Sequence, residues 1–200
     1  MTSTTVAARP TLRRLLSLSA AICLLSTGLA TAATAQDEAP CPAELPSFKV
    51  LDATGAPVPS SRFSDNVVLI DFWASWCRPC HFTLPELERL HQEYGAREDF
   101  AVAGFAIDEG RSGAVRARNF AVKFGVTYDV FYDNASKPAK PLFGIEAVPV
   151  LFLVKDGKVL KRWDGEPDFS AVENEVRTAL GLPSLSESLS ETTETDEPES

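Results

Sequence analysis

The feature that most constrains this chain is a continuous apolar run that ends next to a pair of cysteines. The run, 67–73, is interrupted only by Asp71, as is typical of a central strand covered on both faces. Cys77 and Cys80 follow where such a strand would turn into a helix. A helix N-terminus stabilises a thiolate and lowers its pKa below about 8.5. Cys77 can then attack a disulfide and Cys80 can resolve the mixed disulfide, so the pattern indicates redox chemistry.

Two other uses of the cysteine pair are disfavoured. A structural zinc site needs four ligands, and outside the pair the chain after residue 35 offers only Cys41, His81 and His91. A purely structural disulfide between residues three apart closes a very small loop and constrains the unfolded chain little. We therefore expect no metal and no cofactor.

The first 35 residues have the pattern of a secretory signal peptide. Three arginines precede an apolar stretch at 15–30, and Ala33 and Ala35 give the small-x-small pattern of a cleavage site. The stretch is shorter than the about 20 residues of a membrane span, so cleavage is favoured over retention as a membrane anchor. We expect an exported protein, periplasmic or otherwise extracytoplasmic, where disulfides form and persist.

Composition divides the chain into a signal peptide (1–35), a flexible leader (36–47), one domain (48–182) and an acidic tail (183–200). From 184 onward there are six acids and no base, and such a stretch is expected to be disordered. Cys41 in the leader is interpreted as an unpaired or adventitious thiol rather than a catalytic one. The net charge of −9, with no basic segment beyond the signal, argues against nucleic-acid binding.

Periodicity and turn signals within 48–182 predict an α/β domain. The predicted strands are 48–51, 56–58, 67–73, 100–107, 128–132, 150–154 and 159–163. Four helices are predicted. The first starts at the cysteines and ends at Gly95, and the second runs from a Ser112 cap to 124. The third occupies part of 134–145, and the fourth follows a Ser170–Glu173 capping box. This order predicts a mixed sheet with helices on both sides.

Three features together resemble the thioredoxin superfamily. They are the segment Phe72-Trp73-Ala74-Ser75-Trp76-Cys77-Arg78-Pro79-Cys80, the later Pro85, and Val148-Pro149 before a strand. The leader hairpin and the extra helix-strand segment at 112–132 resemble its exported TlpA/ResA-like branch in particular. The resemblance covers roughly 48–182. It implies a thioredoxin-like mixed sheet with an N-terminal hairpin and a central helix–strand insertion.

The resemblance also implies roles for individual residues. Cys77 corresponds to the exposed attacking thiolate and Cys80 to the buried resolving thiol. The Val148-Pro149 bond is expected to be cis and to face the sulfurs, although spacing alone would favour a trans proline. The residues expected to meet a substrate are Trp76, Arg78, Pro79, Val148 and Pro149.

Asp71 is the predicted proton carrier. Burial within an apolar strand raises the pKa of a carboxyl, and a carboxyl poised near neutrality can take the proton from Cys80. The alternative is a solvated Asp71 at the end of the strand. ResA-like proteins carry a glutamate three residues after the second cysteine, where this chain has Thr83, so proton transfer is expected to rely on Asp71.

These features predict an extracytoplasmic thiol-disulfide oxidoreductase that reduces protein disulfides. The resemblance implies a membrane thiol-disulfide electron donor as partner, an exported cysteine protein such as apocytochrome c as client, and a monomeric enzyme. A disulfide-introducing oxidase would use the same residues and stays an alternative. A peroxiredoxin-like peroxidase lacks its usual Pro-x-x-x-Thr-type run here, and a copper-binding module would have a wider cysteine spacing and a distant histidine.

Overall fold

The computed structural model describes residues 42–133 and 139–188 of the 200-residue chain. Seven strands lie in these ranges: Lys49–Leu51 (β1), Pro57–Pro59 (β2), Val67–Trp73 (β3), Phe100–Ala106 (β4), Asp129–Tyr132 (β5), Val150–Lys155 (β6) and Lys158–Asp164 (β7). The helices are Cys80–Tyr94 (α1), Gly113–Lys123 (α2), Ala139–Leu142 (α3) and Phe169–Ala179 (α4), with a 3₁₀ turn at Ser60–Phe63. The predicted alternation of strands and helices, with its leading hairpin and inserted α2–β5 segment, is confirmed.

The strands form one mixed sheet in the order β2-β1-β5-β4-β3-β6-β7. The central strand β3 pairs in parallel with β4 and antiparallel with β6. Asp156 and Gly157 both have positive φ and close the β6–β7 hairpin, as a two-residue turn of this type requires. Because β3 has a neighbour on each side, its C-terminal end is fixed in the middle of the sheet, where the cysteine segment begins.

Alternate side chains of β3 enter two different apolar clusters. Val68, Ile70 and Phe72 face a cluster that includes Phe143, which follows α3. Leu69 faces the second cluster, whose helical members come from α1 and α4. Both faces of the sheet are therefore covered by helices, which explains why the run 67–73 is apolar at almost every position.

Of the two predicted helix caps, Ser112 is confirmed in position but makes no capping hydrogen bond, and the capping box of the last helix is wrong. Ser112 precedes α2, but its side chain makes no cap hydrogen bond, since its backbone lacks the extended geometry of a capping residue. At α4 the cap is Asp168, whose Oδ1 accepts from the backbone N–H of Ser170 at 3.0 Å. Because the helix starts at Phe169, Glu173 is out of position for a capping box and packs against α1 instead.

The described residues beyond both predicted domain boundaries differ from the expected flexible leader and disordered tail. Before 48, the Leu45 N–H donates to the Gly157 carbonyl at 2.8 Å, so this part of the leader is attached to the β6–β7 turn. After 182, a helical turn covers 185–188, and the Leu185 N–H donates to Asn174 Oδ1 of α4 at 2.9 Å. The predicted signal peptide, Cys41 and residues 189–200 lie outside the described residues.

Candidate active site

Cys77 and Cys80 form a disulfide at the N-terminus of α1, with their Cα atoms 5.4 Å apart. Cys80 is the first residue of the helix, and its backbone N–H lies 3.2 Å from Cys77 Sγ. An N–H group at the positive end of a helix stabilises negative charge on the sulfur it faces. When the pair is reduced, this arrangement favours a thiolate at Cys77, as the sequence predicts.

The two sulfurs differ in accessibility, although less than the sequence suggests. Cys80 is fully buried, in agreement with its predicted role. Cys77 is only 3% exposed, so the expectation of an exposed Cys77 is wrong for the disulfide form. The physical reason is that the backbone at Val148 covers Cys77: the Val148 carbonyl oxygen lies 3.5 Å from Cys77 Sγ. The remaining access still leads to Cys77, so an incoming thiolate would meet that sulfur first.

The other predicted substrate contacts lie on two segments around the disulfide. The Val148-Pro149 peptide bond is cis, as the resemblance implies. Val148 is half-buried and Pro149 is buried. Trp76 is 64% exposed, and Arg78 and Pro79 are also exposed. The structure thus brings these residues to the disulfide, with an exposed loop at 76–79 and the Val148 carbonyl on the other side.

Asp71 lies fully buried on β3, six residues before Cys77. Its register neighbours are Gly104 on β4 and Leu151 on β6, and neither carboxylate oxygen has a hydrogen-bond partner among the described residues. Burial raises the pKa of Asp71 to about 8, because nothing nearby compensates the lost hydration of the carboxylate. The alternative of a solvated Asp71 is therefore excluded, and the carboxyl is poised to exchange a proton near neutral pH.

The sequence interpretation missed Asp108, which holds the segment leading to Cys77. Its Oδ2 accepts the Ser75 N–H at 2.8 Å and its Oδ1 accepts the Ser75 hydroxyl. Asp108 follows β4 just as Ser75 follows β3, and neighbouring parallel strands end at the same edge of a sheet. That signal was available in the sequence, since both strands were predicted.

The inserted helix α2 packs against the base of the site. The Phe120 ring stacks on Trp73 with centroids 5.6 Å apart. His81 lies against Phe120 and Phe124, with centroid distances of 5.2 and 5.0 Å. His81 is thus a packing residue where α1 meets the inserted segment.

Within the described ranges, no three side chains of the histidine, cysteine or acidic types come together as a metal site would require. Across those same residues, no helix combines the length and the apolar character that a membrane crossing demands. The reactive groups described above are the disulfide and the buried carboxyl of Asp71 on the strand that leads to it.

Comparison with known proteins agrees with this chemistry. The thiol-disulfide oxidoreductase ResA of Bacillus thuringiensis subsp. konkukian is 27% identical over 135 residues, which cover 67% of this chain and 75% of that protein. A crystal structure of a putative thiol:disulfide interchange protein DsbE from Chlorobium tepidum has 30% identity and a TM-score of 0.62, covering 69% of this chain and 96% of the other. A solution structure of a putative thioredoxin from Neisseria meningitidis has 28% identity and a TM-score of 0.60, covering 70% and 92%.

These similarities identify the type of enzyme. They cover 67%, 69% and 70% of the chain, and the family match below includes the disulfide at the start of α1. The chain is a thioredoxin-like thiol-disulfide oxidoreductase that catalyses thiol-disulfide exchange. A family model also matches residues 42–162, and the chain therefore belongs to the AhpC/TSA family.

Proposed function

We propose that this oxidoreductase works outside the cytoplasm and reduces disulfides in protein clients. The Cys77 thiolate attacks one sulfur of the client disulfide, and the other client sulfur leaves as a thiolate. Asp71 takes the proton of Cys80, and the Cys80 thiolate then attacks Cys77 Sγ. The client's first sulfur leaves, and the enzyme retains the Cys77–Cys80 disulfide.

The observation that carries this assignment is the buried carboxyl of Asp71, which lies on the strand leading to the cysteines and has no hydrogen-bond partner among the described residues. A resolving thiol that is itself fully buried needs a nearby group to accept its proton, because water cannot reach it. The pKa of about 8 gives Asp71 the required basicity near neutral pH. We assign contact with the client chain to Trp76, Arg78, Pro79, Val148 and Pro149.

The proposed location rests on the first 35 residues, whose pattern is that of a cleaved signal peptide, or of a membrane anchor if it is retained. An exported reductase must be reduced again after each turnover. We assign that step to a membrane thiol-disulfide donor, which passes on its electrons by the same exchange chemistry and becomes a disulfide. Cytochrome c maturation, with apocytochrome c as client, is the proposed process, and the proposed enzyme is a monomer.

Trapping tests the client assignment. In Cys80→Ala the mixed disulfide at Cys77 cannot be resolved, so client proteins should stay attached in an extracytoplasmic extract of the source cells. The double variant Cys77→Ala/Cys80→Ala is the matched control and should capture none. If Cys80→Ala also captures no protein, the disulfide-exchange role with protein clients is wrong.

A redox titration tests the direction. The reduction potentials of this fold range from about −270 mV in thioredoxin, a reductant, to about −120 mV in DsbA, an oxidant. A reductase should equilibrate with glutathione near the lower end of that range. A potential near the upper end would instead support the alternative of a disulfide-introducing oxidase.

A further inference from the structure

Three buried polar groups behind the active site have no hydrogen-bond partner among the described residues. They are the Asp71 carboxylate, the Trp73 indole Nε1 and the Tyr128 hydroxyl. Trp73 and Asp71 are fully buried, and Tyr128 is nearly so. An unpaired polar group in the interior costs about 1–3 kcal/mol, so three of them in one region call for a shared explanation.

Two of the three groups, the Trp73 indole and the Tyr128 ring, lie against Gly104, and Gly104 is the register partner of Asp71. Asp71 and Gly104 are register partners on parallel strands, and Trp73 is two residues further along β3, so all three positions face the same side of the sheet. A Cβ atom at Gly104 would lie 2.9 Å from Trp73 Nε1 and 3.0 Å from Tyr128 Cε2. The missing side chain of Gly104 thus leaves the space that the indole nitrogen and the phenol ring occupy beside Asp71.

Tyr128 is held in this position by the active-site helix. It immediately precedes β5 in the inserted segment, and its neighbour Thr127 is bound to Glu88 of α1. Glu88 Oε2 accepts the Thr127 N–H at 2.7 Å, and Oε1 accepts the Thr127 hydroxyl at 2.6 Å. On the same helix the His91 ring packs edge-on against the Tyr128 ring at 6.0 Å. The phenol is therefore tied to the helix that carries the disulfide.

The chemistry of the three groups is complementary. A tyrosine hydroxyl and an indole N–H donate hydrogen bonds, and a carboxylate accepts them. A buried water typically binds about three otherwise unpaired groups, and one water here can accept from both donors and donate to Asp71. We propose that Tyr128 is a positioning residue for Asp71, acting through one buried water that Trp73 Nε1 also binds. The inference rests on the proposed function, in which Asp71 takes the proton of Cys80.

The ionisation of Tyr128 fits the part of a permanent donor. Burial first, and then the negative charges of Asp71 and Glu88, raise the pKa of Tyr128 well above its ordinary value. The hydroxyl consequently keeps its proton throughout the pH range in which Asp71 titrates.

Two acidic groups on the packed helices are hydrogen-bonded elsewhere, and His91 Nδ1 is also buried without a hydrogen-bond partner among the described residues. Glu88 binds Thr127 and Gln92, and Glu173 of α4 binds Tyr94 and Arg89. His91 of α1 faces the Tyr128 ring. Among these groups Tyr128 is the one that lies against Gly104 beside Asp71, so its hydroxyl is the group to remove in a test.

The variant Tyr128→Phe tests the inference, with the Asp71 carboxyl carbon followed by ¹³C NMR in the oxidised protein as pH is raised. A hydrogen bond to the ionised form stabilises it, so removing the donor should raise the pKa of Asp71 by about one unit. Tyr94→Phe is the matched control, because its hydroxyl bonds to Glu173 and Arg177 instead, and it should leave the titration unchanged. An unchanged or lowered pKa in Tyr128→Phe overturns the inference.

Two further readouts separate positioning from simple packing. The acid limb of the pH profile for resolution by Cys80 should move upward by the same amount in Tyr128→Phe. If that variant does not fold, as judged by circular dichroism, the Tyr128 Cζ resonance of the wild type should titrate with the Asp71 midpoint, and a flat curve overturns the inference. The NMR titrations need no exchange activity, so their failure is distinguishable from failure of the proposed function, which the trapping experiment measures.

Discussion

The two ends of α1 bury acidic side chains in opposite ways. Near the disulfide, the carboxylate of Asp71 has no hydrogen-bond partner among the described residues. Towards the C-terminal end, Glu173 Oε1 accepts the Tyr94 hydroxyl at 2.6 Å, and its Oε2 lies 2.9 Å from Arg89 Nη2. Arg177 of α4 adds a second bond to the Tyr94 hydroxyl at 3.0 Å.

The difference separates a reactive acid from a structural one. A buried carboxylate with partners is stabilised in its charged form and holds two helices together. A buried carboxyl without partners is destabilised when charged, and its pKa rises into the range where it can exchange protons, as for Asp71 at about 8. Helix α1 therefore connects the disulfide end, where Asp71 can exchange a proton, to the Glu173 contact that fixes the position of the helix.

The largest expected effect is on the second chemical step. Asp71→Asn removes the proton acceptor of Cys80, so resolution of the mixed disulfide should slow by about 10³-fold, within the usual range for general base catalysis. The first attack by Cys77 should keep its rate. Stopped-flow exchange with a disulfide peptide measures both steps. Glu173→Gln should alter neither rate, and equal resolution rates in Asp71→Asn and wild type would contradict the comparison.

The next effect is on stability and its dependence on pH. The unfolded chain loses the Asp71 proton near pH 4, whereas the folded protein keeps it up to about pH 8. Between these values the unfolded state binds fewer protons, so this group makes the free energy of unfolding fall as pH rises. Asp71→Asn should therefore be more stable than wild type by ~4 kcal/mol at pH 7, with little difference near pH 4.

Urea denaturation of the oxidised proteins across this pH range measures that difference. A gap between the two proteins that stays constant from pH 4 to pH 8 would show that Asp71 titrates normally. It would also remove the distinction between the two ends of the helix.

The smallest expected effect is a loss of stability at the C-terminal end of α1, where Glu173 binds. Glu173→Gln leaves Arg89 without its buried charged partner and should lower the free energy of unfolding by about 2 kcal/mol. Glu175→Gln, two residues along the same helix, is the control, because its pair with Lys161 at 3.6 Å is partly exposed. Urea denaturation at neutral pH compares the two variants, and equal losses would mean that burial of the Glu173 contact adds nothing.

Much of the fold was predictable because its signals are local. The apolar run of β3, the Asp156-Gly157 turn and the periodicity of α1 are contained within short windows of sequence. The location of the disulfide at the start of α1 and the cis Val148-Pro149 bond followed from motif and resemblance, and the structure confirms both.

The errors and omissions concern contacts between distant residues. Glu173 has the spacing of a capping box with Ser170, yet its partner Tyr94 lies 79 residues away. The burial of Cys77 depends on Val148, 71 residues away in sequence. Tyr128 packs against Gly104, the register partner of Asp71, more closely than a side chain at that position would allow. No periodicity in the sequence encodes these contacts, since they depend on strand register and on how α1 lies across the sheet.

The Val148 carbonyl beside Cys77 has a consequence for the choice of partners. Cys77 as a whole residue is only 3% exposed, so a rigid, convex surface cannot reach its sulfur. A flexible segment of a client protein can enter the site and align its own sulfur with that of Cys77. We expect the enzyme to select proteins by their flexibility before it selects them by their sequence, sparing those whose cystines are already locked in a finished fold.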